Sequence, residues 1–61
     1  MDYRDGRPIV IWRARNNMRL RVMDQFYIGR HGEHRYLVQK ETADHPMHGL
    51  FSVPYQDVSY E

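Results

Sequence analysis

Sixty-one residues without a single cysteine limit this chain to one small domain with few means of stabilisation. A domain of this length buries only about 60% of its unfolded surface and has a free energy of unfolding of about 3 to 9 kcal/mol. Such domains usually gain support from disulfide bonds, a structural metal ion or a partner subunit. The lack of cysteine excludes disulfides and thiolate zinc sites. We therefore expect self-association, with a homodimer as the simplest form.

The composition favours a folded domain in the cytoplasm. Apolar residues make up 41% of the chain, which is too many for a disordered segment, although the mean hydropathy is -0.85. The longest apolar run, Ile9–Trp12, is far shorter than the roughly 20 residues that cross a bilayer. No basic and then apolar signal segment opens the chain. We expect a single domain over residues 1–61 with no membrane contact.

The spacing of apolar and turn residues predicts an all-β protein. Strict alternation begins at Met18, and Asn16-Asn17 and His31-Gly32 are turn signals. The predicted strands cover residues 9–15, 18–28 with a bulge or bend at 23–25, 33–41 and 50–53, before a short helical turn and a terminal strand within 55–60. Four to five such strands are typical of a small, strongly curled antiparallel sheet or an SH3-like barrel.

A helix over residues 17–28 is the competing interpretation. Asn17 could cap it, and Met18, Val22 and Phe26 recur every four residues. The arginines of this segment alternate with apolar residues, however, and that pattern favours a strand.

The second half of the chain resembles a known family of small barrels. Tyr36, Val38, Glu41, His45-Pro46, Pro54 and Val58 are arranged as in the small plasmid-borne dihydrofolate reductases. The resemblance implies an SH3-like barrel, which those enzymes assemble as a tetramer. Their Val-Gln-Ile-Tyr active-site motif before the proline is replaced here by Phe51-Ser52-Val53, without the Gln or the Tyr, so the resemblance implies the fold and not the activity.

No pattern in the chain indicates catalysis or a cofactor. The serines and threonine lie in no nucleophile elbow, and no phosphate-binding loop is present. His31-x-x-His34 and His45-x-x-His48 are two histidine pairs that could in principle hold zinc, nickel or copper. Histidine-only zinc sites are unusual, so we expect four exposed histidines, no specific metal and no enzymatic activity.

The first hairpin carries the predicted binding residues. If Asn16-Asn17 forms a two-residue loop, Trp12 lies opposite Arg21, Ala14 opposite Arg19 and Val10 opposite Met23. Ile9, Ile11, Leu20 and Val22 would then form the core face and leave Trp12 outside between two guanidinium groups. The predicted binding residues are Trp12, Arg13, Arg15, Arg19, Arg21 and Tyr27. The alternative is that the C-terminal segment covers Trp12 while Arg21 stacks on the indole.

Composition favours a protein as the partner of this face. Eight of the nine basic residues are arginine, and Arg, Tyr, Trp and Met are the types enriched at protein interfaces. A net charge of +1 and a pI of about 8.2 are low for a nucleic-acid-binding domain. We expect a regulator or inhibitor of a larger protein, of the size that phages and mobile elements commonly encode. A nucleic-acid-binding module that uses the Arg and Trp face is the alternative.

Overall fold

The computed structural model describes residues 2–61, and strands form most of the regular structure within this range. The strands are β1 (Ile9–Trp12), β2 (Met18–Ile28), β3 (Glu33–Lys40), β4 (Phe51–Pro54) and β5 (Val58–Tyr60). Short 3₁₀ turns at Arg13–Arg15 and Tyr55–Asp57 precede β2 and β5. The all-β prediction is confirmed, and the alternative helix over residues 17–28 is wrong. Among the residues described, no helix is long and apolar enough to cross a membrane.

The strands form one antiparallel sheet in the order β4-β3-β2-β1-β5. The first four strands pair in sequence as a meander, and β5 returns to pair with β1. Strands β4 and β5 are therefore the two edges, although only the Tyr55–Asp57 turn separates them along the chain. Within residues 2–61 no ladder joins these edges, so the sheet is open.

Strand β2 is long and carries a bulge. Its register with β3 shifts between Val22 and Asp24, which leaves Met23 as the extra residue, within the segment where the sequence predicts a bulge. Strand β1 pairs with β2 only as far as Arg21. The part of β2 beyond the bulge therefore extends past β1 and pairs with β3 alone. This extension contributes to the elongated shape, which measures 37 × 23 × 18 Å.

The apolar core lies on one face of the sheet. Cross-strand pairing brings Val10 against Leu20 and Val22 against Val38. The buried apolar side chains are Val10, Leu20, Val22, Tyr36, Val38, Val53 and Val58. Trp12, Met18 and Phe51 pack against this cluster. The rings of Trp12 and Phe51 approach to 5.4 Å although β1 and β4 are not neighbours in the sheet.

The predicted register of the first hairpin is wrong. Trp12 pairs with Met18, not with Arg21. The reason is that residues 13–15 form a 3₁₀ turn instead of extending β1, so the connection includes more than Asn16 and Asn17. Both asparagines adopt the left-handed conformation that the sequence favours, with φ of 55° and 57°. Because this change of register is an odd number of residues, Trp12 moves to the opposite face of the sheet.

Consequently the predicted core face is only half right. Leu20 and Val22 are buried in the core as predicted, whereas Ile9 and Ile11 lie on the other face and are half-buried. Val10 and Trp12 take their places opposite Leu20 and Met18.

The second face of the sheet buries a polar pair. Arg21 is 6% exposed and Gln39 is fully buried, and the two residues lie opposite each other on β2 and β3. The amide of Gln39 donates to the carbonyl oxygens of His45 at 3.3 Å and His48 at 3.2 Å. The loop between β3 and β4 thus folds back over this face.

Candidate functional site

The predicted binding residues do not form one surface. Trp12 and Arg15 meet at one end of the core face, whereas Arg19 and Arg21 belong to the opposite face. Tyr27 lies near the far end of β2. The odd change of register explains this separation, because it removes Trp12 from the face that carries Arg19 and Arg21.

Trp12 is partly covered by its own chain. Its ring packs against Phe51, and the Arg15 guanidinium carbon lies 5.7 Å from the indole centroid. The cation that stacks on Trp12 is therefore Arg15 and not Arg21. The indole Nε1 is buried without a hydrogen-bond acceptor among the described residues. Arg13 donates to the Gln56 carbonyl oxygen at 2.7 Å and so contacts the second 3₁₀ turn.

The two arginines of β2 bind groups of their own chain. Arg19 forms ion pairs with Glu41, at 2.8 Å, and with Glu61. Arg21 donates to Gln39 Oε1 at 2.7 Å and to the Glu41 carbonyl oxygen at 2.7 Å. Burial leaves Arg21 inaccessible to a partner, so its role is to hold the outer face together.

Tyr27 belongs to a different constellation, which we call the tyrosine face. Its members are Tyr27, His34, Tyr36, Tyr55 and Tyr60. Pairing of β2 with β3 sets Tyr27 opposite His34, and Tyr36 follows on the same side of β3. Tyr55 opens the second 3₁₀ turn, and Tyr60 lies on β5. The side chains of three strands and one turn therefore converge on one end of the core face.

His34 lies between two tyrosine rings. Its centroid is 4.7 Å from that of Tyr27 and 5.0 Å from that of Tyr55, with interplanar angles of 22° and 10°. The imidazole Nε2 is 3.0 Å from Gln25 Oε1, which fixes the ring plane. These stacking contacts restrict both tyrosine rings, which reduces the side-chain entropy that is lost when a partner binds.

Tyr36 and Tyr60 form the base of the tyrosine face. Their hydroxyl groups are 2.9 Å apart, and the Tyr36 ring is buried. The hydrogen bond with Tyr60, with burial and the nearby Tyr60 phenol, raises the pKa of Tyr36 to about 12. Open grooves of about 360 and 270 Å³ flank this pair, one toward Arg13 and Gln56 and the other toward Pro8 and Asp24.

The outer rings of the tyrosine face are exposed to solvent. The exposed fractions are 68% for Tyr27, 53% for Tyr55 and 60% for Tyr60. Scattered apolar residues at a surface are ordinary, but a contiguous aromatic patch is a common mark of an interaction site. Phenol rings offer a large apolar area together with a hydroxyl that can donate or accept a hydrogen bond.

The histidines do not come together around a metal. In the part of the chain that the structure describes, no group of three His, Asp or Glu side chains is placed to hold a metal ion. The His45 and His48 rings stack at 4.3 Å, and the Nδ1 of His45 accepts the Met47 N–H at 3.1 Å. His34 is part of the tyrosine face instead, where it contacts two phenol rings.

Sequence reasoning identified Tyr27 but missed its four neighbours. Their meeting depends on the long bulged β2 and on the return of β5 to β1, which join residues distant in the chain. The available signal was the tyrosine content, with five in 61 residues.

Comparison with protein-family models, curated proteins and solved structures finds no match to this chain.

Proposed function

We propose that this protein is a non-catalytic binding module that recognises another protein through its tyrosine face. The observation that carries the proposal is the exposure of Tyr27, Tyr55 and Tyr60 in one aromatic cluster, in which His34 stacks between Tyr27 and Tyr55. Aromatic residues in a preformed patch are the usual anchors of protein interfaces.

The charge distribution supports a protein partner over a nucleic acid. The net charge is only +1. Arg13, Arg19 and Arg21 already bind oxygen atoms of their own chain, which reduces what they can offer to phosphates. Nucleic-acid affinity depends on several free cations along the backbone path. Recognition of nucleic acid by stacking is the alternative that the experiment below distinguishes.

We also propose that the architecture belongs to the SH3-like small barrels. Three features support this assignment: the strand order, the 3₁₀ turn between β4 and β5, and the contact of Tyr36 with Tyr60 between strands that are not neighbours. A curl of the sheet that brings its edges toward each other accounts for the contact of Tyr36 with Tyr60. In this architecture the tyrosine face lies beside the β2–β3 turn and the second 3₁₀ turn.

A module of this kind acts by occupying a surface of its target. The tyrosine face draws its side chains from three strands and one turn of a molecule only 37 Å long. We infer a regulator or inhibitor that docks on a larger protein, with the aromatic anchors at the centre of the contact.

The test is comparative affinity capture from the native host with variants of the tyrosine face. The immobilised wild-type protein should retain a defined protein, identified by mass spectrometry. Tyr55→Ser and Tyr27→Ser should each lower its affinity by roughly 2 kcal/mol or more, as removal of an anchor does. Met47→Ser is the matched control, because Met47 is 71% exposed but belongs to the β3–β4 loop.

Two outcomes would reject the proposal. The first is a captured protein whose affinity is insensitive to Tyr55→Ser and Tyr27→Ser. The second is tight binding of single-stranded oligonucleotides with a steep salt dependence, which would favour the nucleic-acid alternative. Trp12, the single tryptophan, provides the fluorescence signal for the oligonucleotide titration.

A further inference from the structure

Beyond Met23, whose carbonyl oxygen accepts from the Arg7 guanidinium at 2.8 Å, the outer edge of β2 forms no backbone hydrogen bond with another part of the described chain. β1 reaches only Arg21, and Pro8 extends the contact by accepting the Val22 N–H at 2.9 Å. Beyond the bulge, β2 pairs with β3 on one side only. An uncovered strand edge presents backbone donors and acceptors to any strand that can align with it.

The pairing pattern determines which backbone groups point outward. Backbone groups of successive residues in an antiparallel strand point alternately to its two sides. The backbone N–H of Val22 points toward β1. The extra residue at Met23 shifts the alternation by one position, so the backbone N–H and C=O groups of Gln25 and Tyr27 point away from β3. The Gln25 N–H agrees with this direction, because it donates to the Asp24 side chain at 2.7 Å instead of entering the ladder.

The open backbone groups of this edge are complementary to a second copy of themselves. Among residues 2–61, no backbone hydrogen bond outside the ladders involves Tyr27. The peptide group between Ile28 and Gly29 also turns the Gly29 N–H outward, since the Ile28 carbonyl faces β3. The Gly29 carbonyl already accepts the Gly32 N–H at 3.2 Å. The open groups are therefore the Gln25 carbonyl, the Tyr27 N–H and carbonyl, and the Gly29 N–H.

We propose that two copies of the chain join through this edge, antiparallel, with Tyr27 opposite the partner's Tyr27. In this register the two Tyr27 residues exchange hydrogen bonds, and each Gly29 N–H donates to the partner's Gln25 carbonyl. Every open group is satisfied, and the Gln25 N–H and Gly29 carbonyl keep their internal partners. The dimer is a two-fold symmetric extension of the sheet.

The side chains on the outer face support the same register. Phe26 lies opposite the partner's Ile28, so that two apolar residues meet across the new ladder. Asp24 lies opposite the partner's Arg30, so that opposite charges meet at each end. Ile28 is 43% exposed in the single chain and gains cover in the pair.

In the proposed dimer, the turn at residues 29–32 of each copy lies beside a groove of the other copy. An open groove of about 270 Å³ lies beyond Asp24, at the point where the N-terminal segment leaves β2. Gly6, Arg7 and Pro8 line its far side. The partner's turn faces this groove, and the new ladder ends at Gln25, short of Met23, where Arg7 is bonded.

The self-pairing does not rest on the proposed function. It uses the backbone of Tyr27 and its neighbours in β2, whereas the tyrosine face uses the Tyr27 side chain, so amide methylation and Tyr27→Ser test the two separately. In the dimer the two tyrosine faces lie on the same side of one continuous sheet.

Sedimentation equilibrium over protein concentrations of about 1 µM to 1 mM is the first test, because a dimer in exchange with its monomer follows mass action. We expect the mass to rise from 7.5 kDa toward twice that value. Methylation of the Tyr27 amide nitrogen, introduced by chemical synthesis, removes the central donor and should abolish the rise. Methylation of the Tyr60 amide nitrogen, on the outer side of β5, is the matched control and should leave the dimer intact.

Removal of the two charges tests the register. Asp24→Asn, which keeps an acceptor for the Gln25 N–H, and Arg30→Gln should each weaken the dimer about threefold, because the opposite charges at both ends no longer meet. The double variant should be no weaker than the single ones, since both changes act on the same pair of charges.

A strictly monomeric protein at about 1 mM would overturn the inference, since mass action favours association there. So would a dimer that survives Tyr27 amide methylation, or losses from Asp24→Asn and Arg30→Gln that add in the double variant. A monomer that gains mass only with an added foreign strand would assign the edge to another partner.

Discussion

Tyr36 couples the core to the tyrosine face. Its ring packs with Val53 and Val38 in the core, while its hydroxyl meets the Tyr60 hydroxyl across strands that are not neighbours. Its pKa is raised to about 12 from an ordinary value of 10.0, since the hydrogen bond and burial favour the protonated phenol. Protonated Tyr36 therefore stabilises the folded state, and ionised Tyr36 does not.

Replacing Tyr36 with phenylalanine should change stability in a pH-dependent way. A raised pKa gives a stabilisation that is complete below the ordinary value of 10.0 and is lost as the pH rises toward about 12. Tyr36→Phe should lower the free energy of unfolding by about 1 kcal/mol near neutral pH and remove most of this alkaline loss. Urea denaturation between pH 7 and 12 measures both effects. Tyr27→Phe, on the same face, serves as the control and should follow the wild-type profile.

Gln39 links Arg21 to the β3–β4 loop on the second face of the sheet. It accepts from Arg21 and donates to two carbonyl oxygens of the β3–β4 loop. Gln39→Leu should cost about 2 to 4 kcal/mol, because the buried Arg21 then keeps only the Glu41 carbonyl oxygen as an acceptor and the loop carbonyls lose their donor. Guanidinium chloride denaturation measures this loss, and the exposed Gln56→Leu should change stability by less than about 0.5 kcal/mol.

A double variant separates a lost contact from an unpaired charge. Arg21→Met combined with Gln39→Leu removes the charge as well as its acceptor, so it should be more stable than Gln39→Leu alone. If the double variant is less stable than either single one, burial of an unpaired charge is not the cause of the loss.

At the level of strands and turns, the sequence determines which segments are extended better than how they align. Alternation at Met18–Ile28 predicted β2, and its interruption predicted the bulge at Met23. The 3₁₀ turn after Pro54 and the terminal strand are also as predicted. The β1–β2 register was predicted wrongly, because the periodicity of residues 13–15 does not distinguish the end of a strand from a 3₁₀ turn.

The candidate site was harder to predict for the same reason. Placing Trp12 beside Arg19 and Arg21 required the correct register, and an odd error moved it to the other face. The tyrosine face required knowledge of where β5 pairs, which depends on long-range packing and not on local pattern. Tyr27 was named in advance as a binding residue, but its neighbours on this face were not, because their convergence depends on that packing.

The left-handed pair in the β1–β2 turn should tolerate glycine and reject β-branched residues. Asn16 and Asn17 have φ of 55° and 57°, where a Cβ atom crowds the following carbonyl. Asn16→Gly should therefore be nearly neutral, whereas Asn16→Val should lower the free energy of unfolding by about 1 to 2 kcal/mol. Thermal denaturation compares the two variants. Ala14→Val, in the same turn at negative φ, is the control, and equal losses at both positions would contradict this explanation.

For the molecule as a whole, stability depends on a core of few side chains drawn from all five strands. Strand β5 contributes Val58, which is buried, and Tyr60, which bonds to Tyr36. Within residues 2–61, the pairing with β5 is also the only ladder on the outer side of β1. The last strand of the chain therefore completes both the core and the hydrogen bonding of the first.

Loss of β5 packing should unfold a large fraction of the protein. Val58→Ala removes buried methyl groups from a core with little to spare and should cost about 2 to 3 kcal/mol of a total near 3 to 9 kcal/mol. In a domain this small, that loss lowers Tm by roughly 10 °C or more, which near-ultraviolet circular dichroism can follow through Trp12. Glu61→Gln is the control at the same end of the chain: it removes only the exposed ion pair with Arg19, so Tm should fall by no more than a few degrees. A Tm for Val58→Ala equal to that of Glu61→Gln would mean that β5 is not needed to complete the core.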